Sequence, residues 1–188
     1  MTRLALVSDA WAPQVNGVVR TLQTTVALLE ARGWTVTPIT PDRFRSLPCP
    51  TYPEIRLALA APGAVGRRIE AAGAEAVHIA TEGPLGLAAR RHCLKVGRPF
   101  TTSFHTRFPD YLEARFGLPA PVSWRFLRWF HGAARAVLVA TPRLADELAQ
   151  HGLRHTRLWS RGVDLSRFRP GLPPPDCHLV LEYPIGSR

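Results

Sequence analysis

A chain of 188 residues, 46% hydrophobic and 20% charged, has material for one ordinary domain with a buried core; two full domains, a disordered polymer and a collagen-like fold are excluded. The formal net charge is +10, and Lys95 is the one lysine among 24 basic residues. That excess gives weight to nucleic acid, a phosphorylated substrate or acidic lipid as a partner, although a GC-rich genome also favours Arg over Lys.

Mostly apolar runs alternate with helix-like segments, the pattern of an α/β fold built on a parallel sheet. Leu4–Ser8 opens the series as a strand. Asn16 then caps a helix whose stripe is Val18, Leu22, Val26 and Leu29, and Gly33 stops it. Thr35–Thr40 is the second strand. Arg43–Pro53 holds three prolines and reads as a loop. A helix follows from Pro62 to Ala72 before Gly73, then a strand over Ala76–Ala80 and a helix from Pro84 to Val96 before Gly97. Pro99–Ser103 and Ala136–Ala140 are further strands. Thr141 and Pro142 cap a helix with Leu144 and Leu148 on its apolar face, closed by Gly152. A short strand near Arg157–Ser160 ends the series. From Arg169 the chain runs Arg-Pro-Gly-Leu-Pro-Pro-Pro-Asp, a stiff linker, so residues 1–170 read as one domain and 171–188 as linker and short tail.

No run approaches the ~18 apolar residues of a membrane span, and the N-terminal apolar stretch is too short for a signal-peptide core. The cytosol is the expected compartment. Cysteines at 49, 93 and 177 fit neither a disulfide framework nor paired metal ligands. With no Asp-x-Asp pair, His-Glu-x-x-His or Cys/His cluster, no metal is expected, and without Gly-x-Ser-x-Gly hydrolase chemistry has no support.

Ligands of open α/β sheets bind at the carboxyl ends of the strands, where helix N-termini present N–H groups to anions. Asp9 and the turn through Asn16 and Gly17 follow the first strand, Glu82 follows the third, and His105 follows the fourth, so three strand ends offer polar groups to one edge. Gly17 lets a phosphate approach the backbone; the competing reading is a plain strand-to-helix turn. His105 is placed to hydrogen-bond a hydroxyl or phosphate, against the ordinary role of a structural histidine. Ser123–Arg135 sets Arg125, Arg128 and Arg135 beside aromatics. Such a segment lies on an anionic membrane surface, packs Phe126, Leu127 and Phe130 inward with its arginines outside, or does both at once.

Four strings occur in order: Pro-Gln-Val-Asn-Gly-Val-Val-Arg at 13–20, Thr-Glu-Gly-Pro-Leu-Gly at 81–86, Ser-Phe-His-Thr-Arg-Phe-Pro-Asp-Tyr at 103–111, and Trp-Ser-Arg-Gly-Val-Asp-Leu-Ser-Arg-Phe-Arg-Pro at 159–170. Together they resemble the N-terminal domain of glycosyltransferase family 4, of GT-B architecture, over residues 3–170. Bacterial mannosyl- and glucosyltransferases with lipid or polyprenol-type acceptors are the look-alikes. The resemblance implies a Rossmann-like acceptor half with helices on both faces of its sheet, facing a second domain that holds a nucleotide sugar. It implies that Asn16 and Gly17 approach the donor diphosphate or sugar and that Arg20 meets an acceptor anion or hydroxyls. His105 would sit at the reacting sugar, and Glu82, Arg107 and Tyr111 would line the acceptor side. Arg161, Gly162, Val163 and Asp164 would lead to the interdomain hinge.

Such enzymes transfer with retention and usually without an essential metal, and the resemblance points to GDP-mannose as donor, with no further cofactor. After the linker the pattern departs: a donor domain with its Glu-x7-Glu motif is expected, but residues 177–188 do not supply it. The chain is therefore expected to have little activity alone, whether as a fragment, a frameshifted product or a natural half. The alternatives are a non-enzymatic module for anionic lipid or nucleic acid, and a GT-B nucleotide-sugar epimerase, which the acceptor-type motifs disfavour.

Overall fold

The computed structural model describes residues 1–49, 52–61, 63–105 and 119–160. In chain order the elements are β1 (Arg3–Val7), α1 (Gly17–Glu30), β2 (Thr35–Ile39), a 3₁₀ turn at Pro41–Arg43, β3 (Ser46–Cys49), β4 (Tyr52–Ala58), α2 (Ala64–Ala71), β5 (Ala76–Ile79), α3 (Pro84–Lys95), β6 (Thr101–Phe104), α4 (Ala120–Gly132), β7 (Ala136–Val139), α5 (Pro142–Gln150) and β8 (Thr156–Leu158). Six strands form one parallel sheet in the order β2-β1-β5-β6-β7-β8. The α/β reading holds, with strand ends displaced by a residue or two.

The order reverses once. From β1 the chain steps outward to β2, then returns across β1 to β5 and continues through β6 and β7 to β8. Right-handed crossovers put α1 on one face of the sheet and α2 to α5 on the other. Packing agrees: Leu22 of α1 meets Leu6 of β1 and Val36 of β2, while Val65 and Ile69 of α2 and Leu85 and Ala89 of α3 meet Val7, Val77 and Ile79. Beyond them Leu127 of α4 and Leu148 of α5 cover Phe104, Val137 and Val139. In-register parallel neighbours share a face, so the α1 face also carries His78, Thr101, Ser103 and Leu138. Hence the α2–α5 face is mostly apolar, with Thr102 as its polar exception, and the other bears a polar strip across β5 and β6.

Two helix starts follow the cap rules closely. The Asn16 side chain accepts from the N–H groups of Val18 and Val19, each at 3.0 Å, and Thr141 accepts from Leu144 at 3.2 Å. α2 differs, because its N-cap is Gly63 at φ 75° without a side-chain bond; Pro62 lies outside the described residues.

The expected loop over Arg43–Pro53 is corrected. β3 and β4 pair antiparallel as a separate two-stranded sheet, Ser46 opposite Ala58, with a register shift between Pro48 and Cys49. Proline is tolerated because a two-stranded ribbon has only edge positions. Arg56 fastens it, Nε donating to Ser46 Oγ at 3.1 Å and Nη2 to the Ser46 carbonyl at 2.8 Å. The Ser123–Arg135 segment takes its inward-packing form as α4, with Trp124, Leu127, Phe130 and His131 buried, Phe126 half-buried, and Arg125 and Arg128 exposed. Among the described residues no helix is long and apolar enough to cross a membrane.

Candidate active site at the carboxyl ends of the strands

The reversal between β1 and β5 opens the crevice where doubly wound sheets take ligands. Asp9 stands at its base but does not face it. Its Oδ1 accepts from the Leu85 N–H at 2.9 Å, and its Oδ2 accepts from the Gly86 N–H at 3.2 Å and the Thr81 hydroxyl at 3.0 Å. The Asp9 N–H donates back to Thr81 Oγ1 at 2.7 Å. A carboxylate from β1 thus caps α3 across the switch point, meeting unpaired N–H groups and the positive end of the helix. Burial pushes the Asp9 pKa up, opposed by the Leu85 and Gly86 N–H groups and by Thr81. Its expected presentation to a ligand is corrected: 8% exposed, Asp9 belongs to the frame.

This cap also explains both glycines of Thr-Glu-Gly-Pro-Leu-Gly. A methyl group on Gly83 would overlap the Asp9 carboxyl, and one on Gly86 would overlap the Thr81 carbonyl oxygen. The loop can follow the Asp9 side chain only where no Cβ stands.

Glu82, lifted by that loop, has a different environment. Its Oε1 lies 3.1 Å from His131 Nε2, and His131 Nδ1 is 2.9 Å from Thr102 Oγ1. His131 is fully buried near the end of α4, with Phe130 and Phe104 against its ring. Glu82 is therefore held from behind by an imidazole anchored to β6, with its side chain 15% exposed at the rim.

His105, half-buried, follows β6 on the α1 face. Its Nε2 lies 2.8 Å from Ser103 Oγ. Ser103 Oγ is also 3.2 Å from His78 Nε2 and donates to the Ala80 carbonyl at 3.3 Å, and His78 Nδ1 is 2.8 Å from Thr101 Oγ1. Ser103 has one hydroxyl proton for three neighbours, so whether each Nε2 accepts from it or donates to it links the tautomers of His78 and His105 through Ser103. Burial, with His105 nearby, depresses the His78 pKa to about 3. His78 consequently stays neutral and serves the hydrogen-bond chain as a dipole. Trp159, after β8, sets its ring edgewise 5.8 Å from His78 and 5.6 Å from His105.

Across the crevice, Gln14 braces the loop after β1, donating to the Asp9 carbonyl at 3.3 Å and accepting from the Asn16 amide at 3.3 Å. Asn16 spends its Oδ1 on the cap, so the N–H groups of Val18 and Val19 are turned to it and Gly17 stands at the exposed start of α1. Arg20 is exposed on the first turn. A cavity of about 480 Å³ lies away from these groups, beside Val36, Ile39, Arg43 and Arg68. A second, of about 360 Å³, adjoins the crevice and is lined by Trp11, Pro13, Gln14, Asp42 and Arg56.

The structure thus places Asn16, Glu82 and His105 on loops, and Gly17 at the first position of α1, along one edge of the sheet. Arg107, Tyr111, Arg161, Gly162 and Asp164 lie outside the described residues. Sequence reasoning gave no role to His78, His131, Thr81 or Trp159. The signal for His78 was a lone imidazole inside the apolar strand Ala-Val-His-Ile, and for its partners the run Thr-Thr-Ser in a buried strand. His131 had no such signal, because its partner is remote in sequence.

Residues 15–167 match the model of Glycosyltransferase Family 4. The GDP-mannose-dependent alpha-mannosyltransferase of Mycobacterium tuberculosis is 26% identical over 187 residues, covering 89% of this chain and 49% of that protein. The protein of the same name from Mycolicibacterium smegmatis is 25% identical, with 89% and 50% covered. Sulfoquinovosyl transferase SQD2 of Arabidopsis thaliana is 28% identical over 130 residues, covering 67% of this chain and 26% of that protein. The chain spans about half the length of the mannosyltransferases it matches. With two thirds or more of its residues inside that match, the chain belongs to glycosyltransferase family 4.

Proposed function

We propose that the chain is the acceptor-holding half of a retaining hexosyltransferase that moves a sugar from a nucleotide-sugar donor to a lipid or glycan acceptor, with GDP-mannose the first donor to try. One observation carries this reading: Glu82, braced by buried His131, and His105, braced by Ser103, follow the carboxyl ends of the neighbouring strands β5 and β6. As the bond from the anomeric carbon to the diphosphate lengthens, the ring gains positive and the leaving oxygen negative charge, and a site must meet both. His105 bonds hydroxyls of the reacting sugar, and Glu82 accepts from an acceptor hydroxyl. Asn16 and Gly17 border the diphosphate, and Arg20 meets an anion of the acceptor. Arg107 and Tyr111 complete the acceptor side, and Arg161, Gly162 and Asp164 belong to the hinge. Transfer runs without an added metal, at the cytoplasmic face of a membrane. The matched mannosyltransferases are about twice as long as this chain, so the assay also supplies a donor-binding half in trans.

The test is transfer of labelled mannose from GDP-mannose to a polyprenol or diacylglycerol-type acceptor, with the chain alone and with a separately produced family 4 donor domain. Transfer that needs both, survives chelation and falls at least about a hundredfold in His105→Ala supports the reading. Full transfer by the chain alone would remove the half-enzyme claim, and unchanged transfer in His105→Ala would remove the assigned site.

A further inference from the structure

Ser103 on β6 is 1% exposed and His78 on β5 is 6% exposed, so the centre of the hydrogen-bond chain that reaches His105 is closed to water and must satisfy itself. Four contacts make up the chain: Ser103 Oγ to the Ala80 carbonyl, to His78 Nε2 and to His105 Nε2, and His78 Nδ1 to Thr101 Oγ1. With both rings neutral, the side chains bring one proton each, from the hydroxyls of Ser103 and Thr101 and from each imidazole. A carbonyl can only accept, so the Ser103 proton goes to Ala80. Ser103 Oγ then offers its lone pairs to the two imidazoles, and both Nε2 atoms donate to it. His78 Nδ1, left without a proton, accepts from the Thr101 hydroxyl. This distribution gives every contact one proton and no contact two.

We propose that Ser103 is a positioning residue for sugar transfer: by accepting from the His105 Nε2–H it fixes the neutral imidazole with its lone pair on Nδ1, so that His105 meets a hydroxyl of the reacting sugar as a hydrogen-bond acceptor. The use of this tautomer rests on the transferase reading above, while the tautomer itself is a property of the buried chain. Acceptance matters because the hydroxyls of the sugar become more acidic as its ring gains positive charge, so a bond to a lone pair strengthens toward the transition state. An N–H in the same place would set the positive end of a dipole against that charge. Thr101 and His78 act one step further back: Thr101 holds His78 in the tautomer whose Nε2–H fills the other lone pair of Ser103.

The experiment reads the tautomer first. Long-range proton–nitrogen NMR spectra of the chain labelled in its histidines, at about pH 8.5 where an ordinary imidazole is neutral, distinguish a protonated ring nitrogen from one with a lone pair, and His78→Gln and His105→Gln identify the two rings. Both are expected wholly in the Nε2–H form. Ser103→Ala should turn His105 into a mixture of tautomers, and Ser103→Thr should keep it single. A wild-type His105 protonated on Nδ1, or one that Ser103→Ala leaves unchanged, would overturn the proposal. The second arm is a double-mutant cycle on transfer, measured with the donor domain supplied as above. Ser103→Ala should lower kcat at least about tenfold with the donor KM within about twofold, and Ser103→Thr should restore most of it. In the His105→Ala chain Ser103→Ala should have no further effect. The same loss in both backgrounds would make Ser103 merely structural and overturn its positioning role, with thermal melts checking that each variant is folded. The expected tautomer without any transfer removes the transferase reading alone; transfer by a chain whose His105 carries its proton on Nδ1 removes this proposal alone.

Discussion

Asp9 and Glu82 are carboxylates on adjacent strand ends, and the fold uses them in opposite ways. Asp9 is enclosed by the backbone of α3 and by Thr81, with both oxygens bonded inside the protein. Glu82 is bonded by Oε1 to a buried imidazole and keeps a partly exposed side chain at the rim. An acid at a strand end is thus not in itself a site residue. What separates the two is whether the helix N-terminus or a side chain from another layer reaches it first.

The contrast can be broken most severely at Asp9. Asp9→Ala leaves the N–H groups of Leu85 and Gly86 buried without acceptors, and a loss of about 4 kcal/mol is expected, measured by urea unfolding. A loss below about 1 kcal/mol would mean that the cap is dispensable. Gly86→Ala tests the same contact from the other side: the methyl must displace the Thr81 carbonyl, and about 2 kcal/mol should be lost, read as a lowered Tm.

His78 sharpens the comparison through pH. With its folded pKa at about 3 and an ordinary value of 6.5, the unfolded chain binds the extra proton between those limits. Its contribution to stability is complete above pH 6.5 and is lost as pH falls toward 3, by roughly 1.4 kcal/mol per pH unit. Asp9, raised by burial, works in the opposite sense, so the useful quantity is the difference between wild type and His78→Asn. That difference should shrink steadily as the solution is acidified from pH 6.5, and a pH-independent difference would contradict a neutral buried His78. Glu82→Gln should have the smallest effect on stability, within about 0.5 kcal/mol, while lowering transfer in the assay above. Unfolding of that variant would put Glu82 in the frame beside Asp9.

Much of this was legible in the sequence because it depends on local chemistry. Asn16 before an apolar stripe, Thr141 before Pro142, and short β-branched runs specify their elements without outside help. The β3–β4 ribbon was hidden because its prolines argue against any strand with two neighbours, and nothing local says that a ribbon has none. Family membership was readable from four ordered strings, and so were the positions of Glu82 and His105. The partners of those residues were not. That Asp9 turns to α3 depends on residues more than seventy positions away, and that His131 backs Glu82 depends on α4 packing over β6.

Gln14 joins the Asp9 carbonyl to the Asn16 amide, and Asp9 in turn grips the loop that carries Glu82. The start of α1 and the Glu82 loop are therefore joined through one hydrogen-bonded chain, like the two jaws of a calliper on a common bar. A molecule bridging them would be measured by the span between its polar groups.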